Sequence, residues 1–456
     1  MMRTIIPALI MVLCLGTQSC TKEFLDKKPD KKMTVPTKLW EFQALLDNDD
    51  LTSAQPFWGE WGADNFYLEY ANWQSLVANT MNAYIWSADI LQEREDTDWT
   101  NPYGQVYIAN VVLEGINNLD ADDANKEQYN QIKGGALYFR ANAFFNLVQI
   151  YSKTYVKNSA DTELGIILRL NANLSESKGR SSLLASYDQI LKDFQEALRI
   201  LPLNNIDPVN RNRPSKASAY AMLARVYLNM GMYEDAEANA DSSLRLNSEL
   251  LDYNTLNPTT PTRPFPRNNP EILADCFVRT AITFNTNILV DTMLYNSYLS
   301  DDLRKTLYFK NNTASKKYFV GQYTGLTTLF GGVATDEMYL IRAECRARLN
   351  RVSDAMGDLN TLLEKRWRTG TFVDFAATDA EDALIKILEE RRKELPFRGL
   401  RWTDLKRLNK EPQFSKTLSR ILNNTVYELP PNDPRYVYQI PNSEVLLNGT
   451  EQNKRD

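Results

Sequence analysis

The chain has 456 residues, a formal charge of −6 and 24% charged residues. Its Lys and Arg residues are scattered, which excludes the clustered basic face that nucleic acid requires. There is no histidine, and that removes Ser–His and Cys–His nucleophile pairs, His-ligated zinc and His-based proton transfer together.

The amino terminus sets the expected compartment. Arg3 precedes a short apolar run, Ile5 to Gly16, too brief for a permanent bilayer span. The run ends in LGTQSC, with small Ser19 directly before Cys20. This resembles a bacterial lipoprotein signal, in which Cys20 becomes the lipidated first residue after removal of residues 1–19. Gln18 makes the small-residue box a loose one, and ordinary cleavage nearby, with Cys20 incidental, is the alternative. Lipid on Cys20 would anchor the protein to a membrane, since each buried methylene contributes about 0.8 kcal/mol. Thr21 to Thr37 is polar and suits a tether. No later run approaches transmembrane length.

A short helix is predicted from Leu39 to Leu46. Pro56 to Trp73 (PFWGEWGADNFYLEYANW) keeps neither helical nor strand period for long and reads as an ordered loop over a helical body. Its composition suits a sugar. Trp58, Trp61, Tyr67 and Trp73 offer flat apolar faces for C–H groups, and Asp64 and Asn65 offer polar groups for hydroxyls. The competing reading is that these rings pin the loop down. Trp86 and Trp99 precede helices and are expected to pack. A helix follows from Tyr103 to Asn117. The Asn118-Leu-Asp120-Ala-Asp122 stretch lacks Gly at the sixth and Glu at the twelfth loop position, so no EF-hand is expected.

Gly134 to Tyr151 carries Leu137, Arg140, Ala141 and Phe144 at repeat-helix spacing. Its partner helix returns only at Ser186 to Leu201, after a loop-like insertion, Ser152 to Leu184. Arg213-Pro214-Ser215 then leads into the clearest unit of the chain, Ala217 to Asn247. Tyr220, Leu223, Ala224 and Tyr227 share one helix face, Gly231 tolerates the left-handed turn, and Tyr233, Ala236 and Ala240 continue on a second helix. This large–small alternation is the helical hairpin of a tetratricopeptide repeat, with Ser243 and Asn247 standing where alanine and proline are preferred.

Asn257 to Pro270 is Pro/Thr/Asn-rich and irregular. Ile272 to Thr283 suggests a short strand, and Asp301 to Gly332 is mixed, with Tyr308, Tyr318, Tyr323 and Phe330. Tyr295, Tyr298 and Tyr323 are weaker candidates to complete a binding site. Helical period returns at Asp336, where Tyr339, Ala343, Ala355, Leu359 and Leu362 keep the repeat register and Asn350 takes the place of Gly231. A last pair of helices is predicted at Glu381 to Leu395 and Trp402 to Leu408. Within it, Arg391, Arg392 and Glu394 are expected to pair along the helix, and Gly399 to end it beside Pro396. Cys276 and Cys345 are the mature thiols; a disulfide between them is open, and two buried thiols are favoured because Cys345 falls on a core face. No phosphate loop occurs. Asp301, Asp302, Glu389 and Glu390 are the acids considered for a glycosidase pair, a chemistry that needs a separation of roughly 5 to 9.5 Å.

Taken together the chain resembles the SusD/RagB family of outer-membrane nutrient-binding lipoproteins of Bacteroidetes. The carriers, in order, are SCTKEFLDKKPD, LYFRANAFFNLVQIY, KASAYAMLARVYLNMGMYEDA, NPEIL, TDEMYLIRAE, EERRKELPFRGLRWTDLKRLN and QIPNSEVLLN. The tail departs from the family where Gly449 replaces a proline and Gln452-Asn453 runs into Lys454-Arg455-Asp456. The resemblance implies a mostly α fold: a tetratricopeptide-like right-handed superhelix with a loop-rich irregular face and a few short strands. It also implies residues 20–250 and 251–456 as the two halves of one compact unit. The implied role is a cell-surface protein that captures an oligosaccharide, or in some members a peptide, for a SusC-like TonB-dependent transporter, with no catalysis, cofactor or metal. A repeat-based adaptor for a protein partner and a glycoside hydrolase are the competing classes.

Overall fold

The computed structural model describes residues 36–48, 51, 55–91, 96–204, 210–260, 262–267, 269–278 and 285–455. Cys20 and the signal residues 1–19 lie outside these. Helix α1 (Leu39–Leu46) turns Phe42 and Leu46 inward. The stretch read as an ordered loop contains α2 (Phe57–Gly62), β1 (Phe66–Tyr67) and α3 (Tyr70–Gln74), followed by α4 (Ala78–Tyr84). Helices of five to seven residues complete at most two turns, so no period builds up for a sequence reading to detect.

Helix α5 (Thr97–Ile116) begins earlier than its apolar pattern suggests. Asp96 caps it by accepting from the Asp98 amide, which places Trp99 within the helix. Helix α6 (Lys126–Tyr151) buries almost every residue from Gly134 onward. Helix α7 (Leu183–Ile200), capped by Ser182, packs on it across the insertion. Arg140, standing where the later repeat has Leu223, ties the two together through Asp193, with both contacts at 2.7 Å.

Helices α8 (Lys216–Met230) and α9 (Tyr233–Leu246) form the predicted hairpin. Ser215 and Ser218 make a capping box, and Gly231 ends α8 with φ +74°. Ala224, Ala236 and Ala240 are fully buried at the crossing. Ser243 is accommodated there because its hydroxyl donates to the Ala217 carbonyl at 2.9 Å.

Next come β2 (Ile272–Ala274), β3 (Leu289–Val290), α10 (Thr292–Ser297), α11 (Arg304–Leu307), β4 (Phe309–Asn311), β5 (Lys317–Phe319) and β6 (Val333–Ala334). Helices α12 (Thr335–Arg348) and α13 (Val352–Glu364) make the second hairpin, with Asn350 at φ +61° in the role of Gly231. The chain closes with α14 (Ala380–Glu394), α15 (Arg401–Leu408), β7 (Leu418–Leu422), β8 (Thr425–Leu429) and α16 (Asn442–Asn448), the last ended by Gly449.

The helices stack serially: α5 on α6, α6 on α7, α7 on α8, α8 on α9, α9 on α12, and α12 on both α13 and α14. This is the tetratricopeptide-like core. Three small antiparallel sheets lie beside it, in the orders β1-β3-β5-β4, β2-β6 and β7-β8. Both Cys276 and Cys345 are buried thiols.

The charged α14 segment pairs differently from expectation. Glu394 is gripped by Arg304 at 2.9 Å and Arg366 at 2.7 Å, Arg391 by Asp404 at 2.9 Å, and Arg392 reaches Asp64 at 3.3 Å. The helix itself stops at Glu394, and Phe397 and Gly399, both at positive φ, shape the turn into α15. The physical reason is burial. A helix packed on α12 cannot solvate these charges, so they take partners from other elements. Asp302 and Glu390 both bind Arg304 at 2.7 Å within this network. Early and late segments also meet closely: α2 packs on α15, and Arg420 donates to the Trp61 and Ala63 carbonyls at 3.0 and 2.7 Å.

Candidate functional site

The eight residues singled out in the sequence divide by burial. Trp58 is 6% exposed and Trp61 fully enclosed. The Trp58 indole N–H donates to Asp96 at 2.8 Å and its ring stacks on Tyr438, while the Trp61 indole N–H donates to the Thr80 carbonyl at 2.9 Å. Phe57, Phe66 and Tyr84 close around Trp61. Asn65 is buried and donates to Glu60 at 2.9 Å. Tyr323 is buried far along the chain. Its hydroxyl is hydrogen-bonded to that of Tyr253 at 2.6 Å and lies within donating distance of Glu271 at 3.0 Å, and Arg398 covers its ring.

Asp64 is partly accessible and heavily paired. Arg401 holds it at 2.7 Å, Lys416 at 2.8 Å and Arg392 at 3.3 Å. Burial by itself would raise its pKa, but Arg401, Arg392 and Lys416 outweigh that and keep the carboxyl well below the ordinary range. It is an anion in a fixed position.

Tyr67, Trp73 and Tyr295 keep accessible surface. Tyr67 pairs with Leu289, and Leu289 with Tyr318, so Tyr67 and Tyr318 stand on one face of the four-stranded sheet with Leu289 between them. Tyr295 touches Phe309 and lies under Lys317 at 4.7 Å; both of these alternate with the Tyr318 row, which assigns Tyr295 to the other face. Immediately after β1, Trp73 stacks on Tyr70 with centroids 5.8 Å apart and planes inclined by 26°. The Trp73 indole N–H donates to the Met81 carbonyl at 3.1 Å, which clamps the ring, and the Gln74 amide donates to the Tyr70 hydroxyl at 2.9 Å. An ion pair between Glu69 and Lys316 draws the β4–β5 turn against the start of α3.

The structure thus puts Tyr67 and Tyr318 on one face of the sheet and stacks Tyr70 on Trp73 in the helix that follows β1, while Tyr295 lies on the other face and Tyr323 is buried. Tyr70 and Tyr318 were missed as candidates. The signal for Tyr70 was present in its i,i+3 spacing to Trp73. Nothing local marks Tyr318, because only strand pairing brings it onto the Tyr67 face. Two sizeable depressions, of about 590 and 540 Å³, lie elsewhere, and none of the eight residues lines either. Among the described residues no acidic or sulfur cluster has metal-binding geometry, and no helix is long and apolar enough to cross a membrane.

Residues 23–228 match the signature of a family described as "Starch-binding associating with outer membrane", SusD-like, and residues 335–453 match that of the SusD family. A search of curated proteins finds no match. Among solved structures, a SusD superfamily protein from Bacteroides thetaiotaomicron is similar, with 21% identity, a TM-score of 0.74, and coverage of 92% of this chain and 100% of that one. A SusD-like carbohydrate binding protein from Bacteroides vulgatus shows 18% identity and a TM-score of 0.67 over 91% of this chain and 97% of its own. A laminarin binding SusD-like protein shows 17% identity and a TM-score of 0.66 over 92% and 99%. With both halves of the sequence carrying its signatures and the helical-hairpin stack carrying its fold, the chain belongs to the SusD/RagB family.

Proposed function

We propose that this protein is a cell-surface lipoprotein, anchored through Cys20, that binds an oligosaccharide without chemistry and delivers it to a SusC-like TonB-dependent transporter of the outer membrane. Family membership supports the compartment and the carbohydrate class. The observation that carries the reading is the stacked, accessible Tyr70–Trp73 pair. A sugar ring presents C–H groups on one face and hydroxyls at its edge. An indole held by its own N–H meets the first without losing rotational freedom on binding, and that preorganisation favours affinity. The Gln74 amide and Glu69 lie within the same short stretch, and Lys316 joins Glu69 from the β4–β5 turn, to meet the second. Tyr67 and Tyr318 offer further rings on the sheet face.

Calorimetric titration against a glycan panel that includes β-glucan oligosaccharides tests this. Binding is expected, and the Tyr70→Ala/Trp73→Ala double variant should lose at least about tenfold in affinity with an unchanged circular dichroism spectrum. Wild-type affinity in that variant would remove the site. Binding of peptides with silence across all glycans would move the ligand to the peptide class.

A further inference from the structure

Lys406, on the last turn of α15, is 6% exposed, and no carboxylate among the described residues pairs with it. Its ammonium donates to the Gln149 and Ser152 carbonyls, each at 2.7 Å. These belong to the carboxyl end of α6, which offers only about half a negative charge. Lys410, one turn on, has a more exposed side chain whose ammonium is drawn onto the Tyr155 carbonyl, again with no acid beside it. Each ammonium keeps N–H capacity that no acceptor among the described residues uses. Burial, followed by the like charge of Lys410, pushes the Lys406 pKa down to about 7.

Both lysines line the depression of about 540 Å³, a volume that fits a small ligand. On the same wall, the Asn409 amide nitrogen and the Tyr436 hydroxyl, each on a residue only 4% exposed, find no partner among the described residues except one another, which leaves the Tyr436 O–H without an acceptor. Buried donors normally find acceptors, and donors left over on one cavity wall need a reason. Of the three acids lining the depression, Glu163 is engaged with Lys153 and Asp433 with Arg435, while Glu451 is exposed and acts on Arg180. A helix-capping role would account for the lysines alone. It leaves Asn409 and Tyr436 unexplained.

We propose that this depression is a second binding site, separate from the Tyr70–Trp73 pair, for a carboxylate-bearing ligand seated between Lys406 and Lys410 with Asn409 and Tyr436 as further donors. A carboxylate supplies the missing counter-charge and accepts from these donors at once. The uronic acid of an acidic glycan and the free carboxyl end of a peptide share this chemistry.

The full mature chain would be titrated with trigalacturonate and its methyl ester, and with a tetra-alanine peptide and its carboxyl-terminal amide. Binding of at least one acid form, with its neutralised counterpart silent, is expected; which pair responds identifies the source. Tyr436→Phe removes a hydroxyl whose only hydrogen-bonding neighbour among the described residues is the Asn409 amide, and Lys410→Gln changes an accessible position, so both variants should fold. Each should weaken the acid probe at least about fivefold. Trp73→Ala should leave that binding intact, which separates this site from the proposed glycan site. Silence with both acid probes, or wild-type affinity in both variants, would overturn the proposal.

Discussion

Glu60 sits beneath the aromatic stretch with no exposed surface, accepting from Asn65 at 2.9 Å and from the Gly399 amide at 3.0 Å. Burial outweighs these two bonds and pushes its pKa up to about 7, from an ordinary 4.5. The folded state therefore holds this proton more tightly than the unfolded chain. Its stabilising contribution is complete below pH 4.5 and is lost as the pH rises through 7. Glu60→Gln cannot titrate, so urea unfolding should show the wild type losing stability relative to the variant by roughly 3 kcal/mol between about pH 4 and pH 8. A constant difference across that range would contradict the assignment. The tryptophans above Glu60 show why side-chain type did not locate the site. Trp61 and Trp73 are identical groups in one stretch, yet one fills the core and the other sits at the surface against Tyr70. An indole serves either purpose, and what decides is whether Phe57, Phe66 and Tyr84 fold over it, a property of packing that composition does not encode. Removing the exposed Tyr70 ring should cost affinity and leave stability nearly unchanged, as measured by titration and thermal melting together.

At the scale of elements, the helical hairpins were legible because their constraints are local. Alternating large and small residues fix the crossing of α8 on α9, and one left-handed residue fixes the turn. A Cβ at Gly231 would meet nothing nearer than 3.9 Å, so Gly231→Ala tests the backbone conformation alone. It should cost about 1–2 kcal/mol, read as a lowered midpoint of unfolding. Asn350 does the same work at φ +61° because its short polar side chain tolerates that region. The short helices α2 and α3 left no such mark in the sequence, and neither did strand pairs of two or three residues such as β1 with β3. Their formation depends on partners far along the chain.

At the scale of the molecule, charge pairing carries what periodicity cannot. Arg304 and Arg366, neither exposed, meet on Glu394 and extend to Asp302, Glu390 and Glu271. Arg391, Arg392 and Glu394 were expected to pair along their own helix and pair across the molecule instead, because every one of these partners but Glu390 lies on another element. Removing one member strands the others in a low-dielectric interior. Arg304→Ala should therefore destabilise the fold by about 3–5 kcal/mol in denaturant titration, well beyond an exposed pair such as Arg368–Asp301.

The seating of α2 against α15 also bears on how the chain matures. Glu60 receives its bond from Gly399 across 339 positions, and Arg420 braces the backbone at Trp61 and Ala63 from still further on. Synthesis proceeds from the amino end, so the indoles of Trp58 and Trp61 emerge long before α15 and Tyr438 exist to complete their cover. Until α15 has appeared, the nascent polypeptide carries apolar surface that its own later segments will bury, and that interval is when aggregation competes with folding.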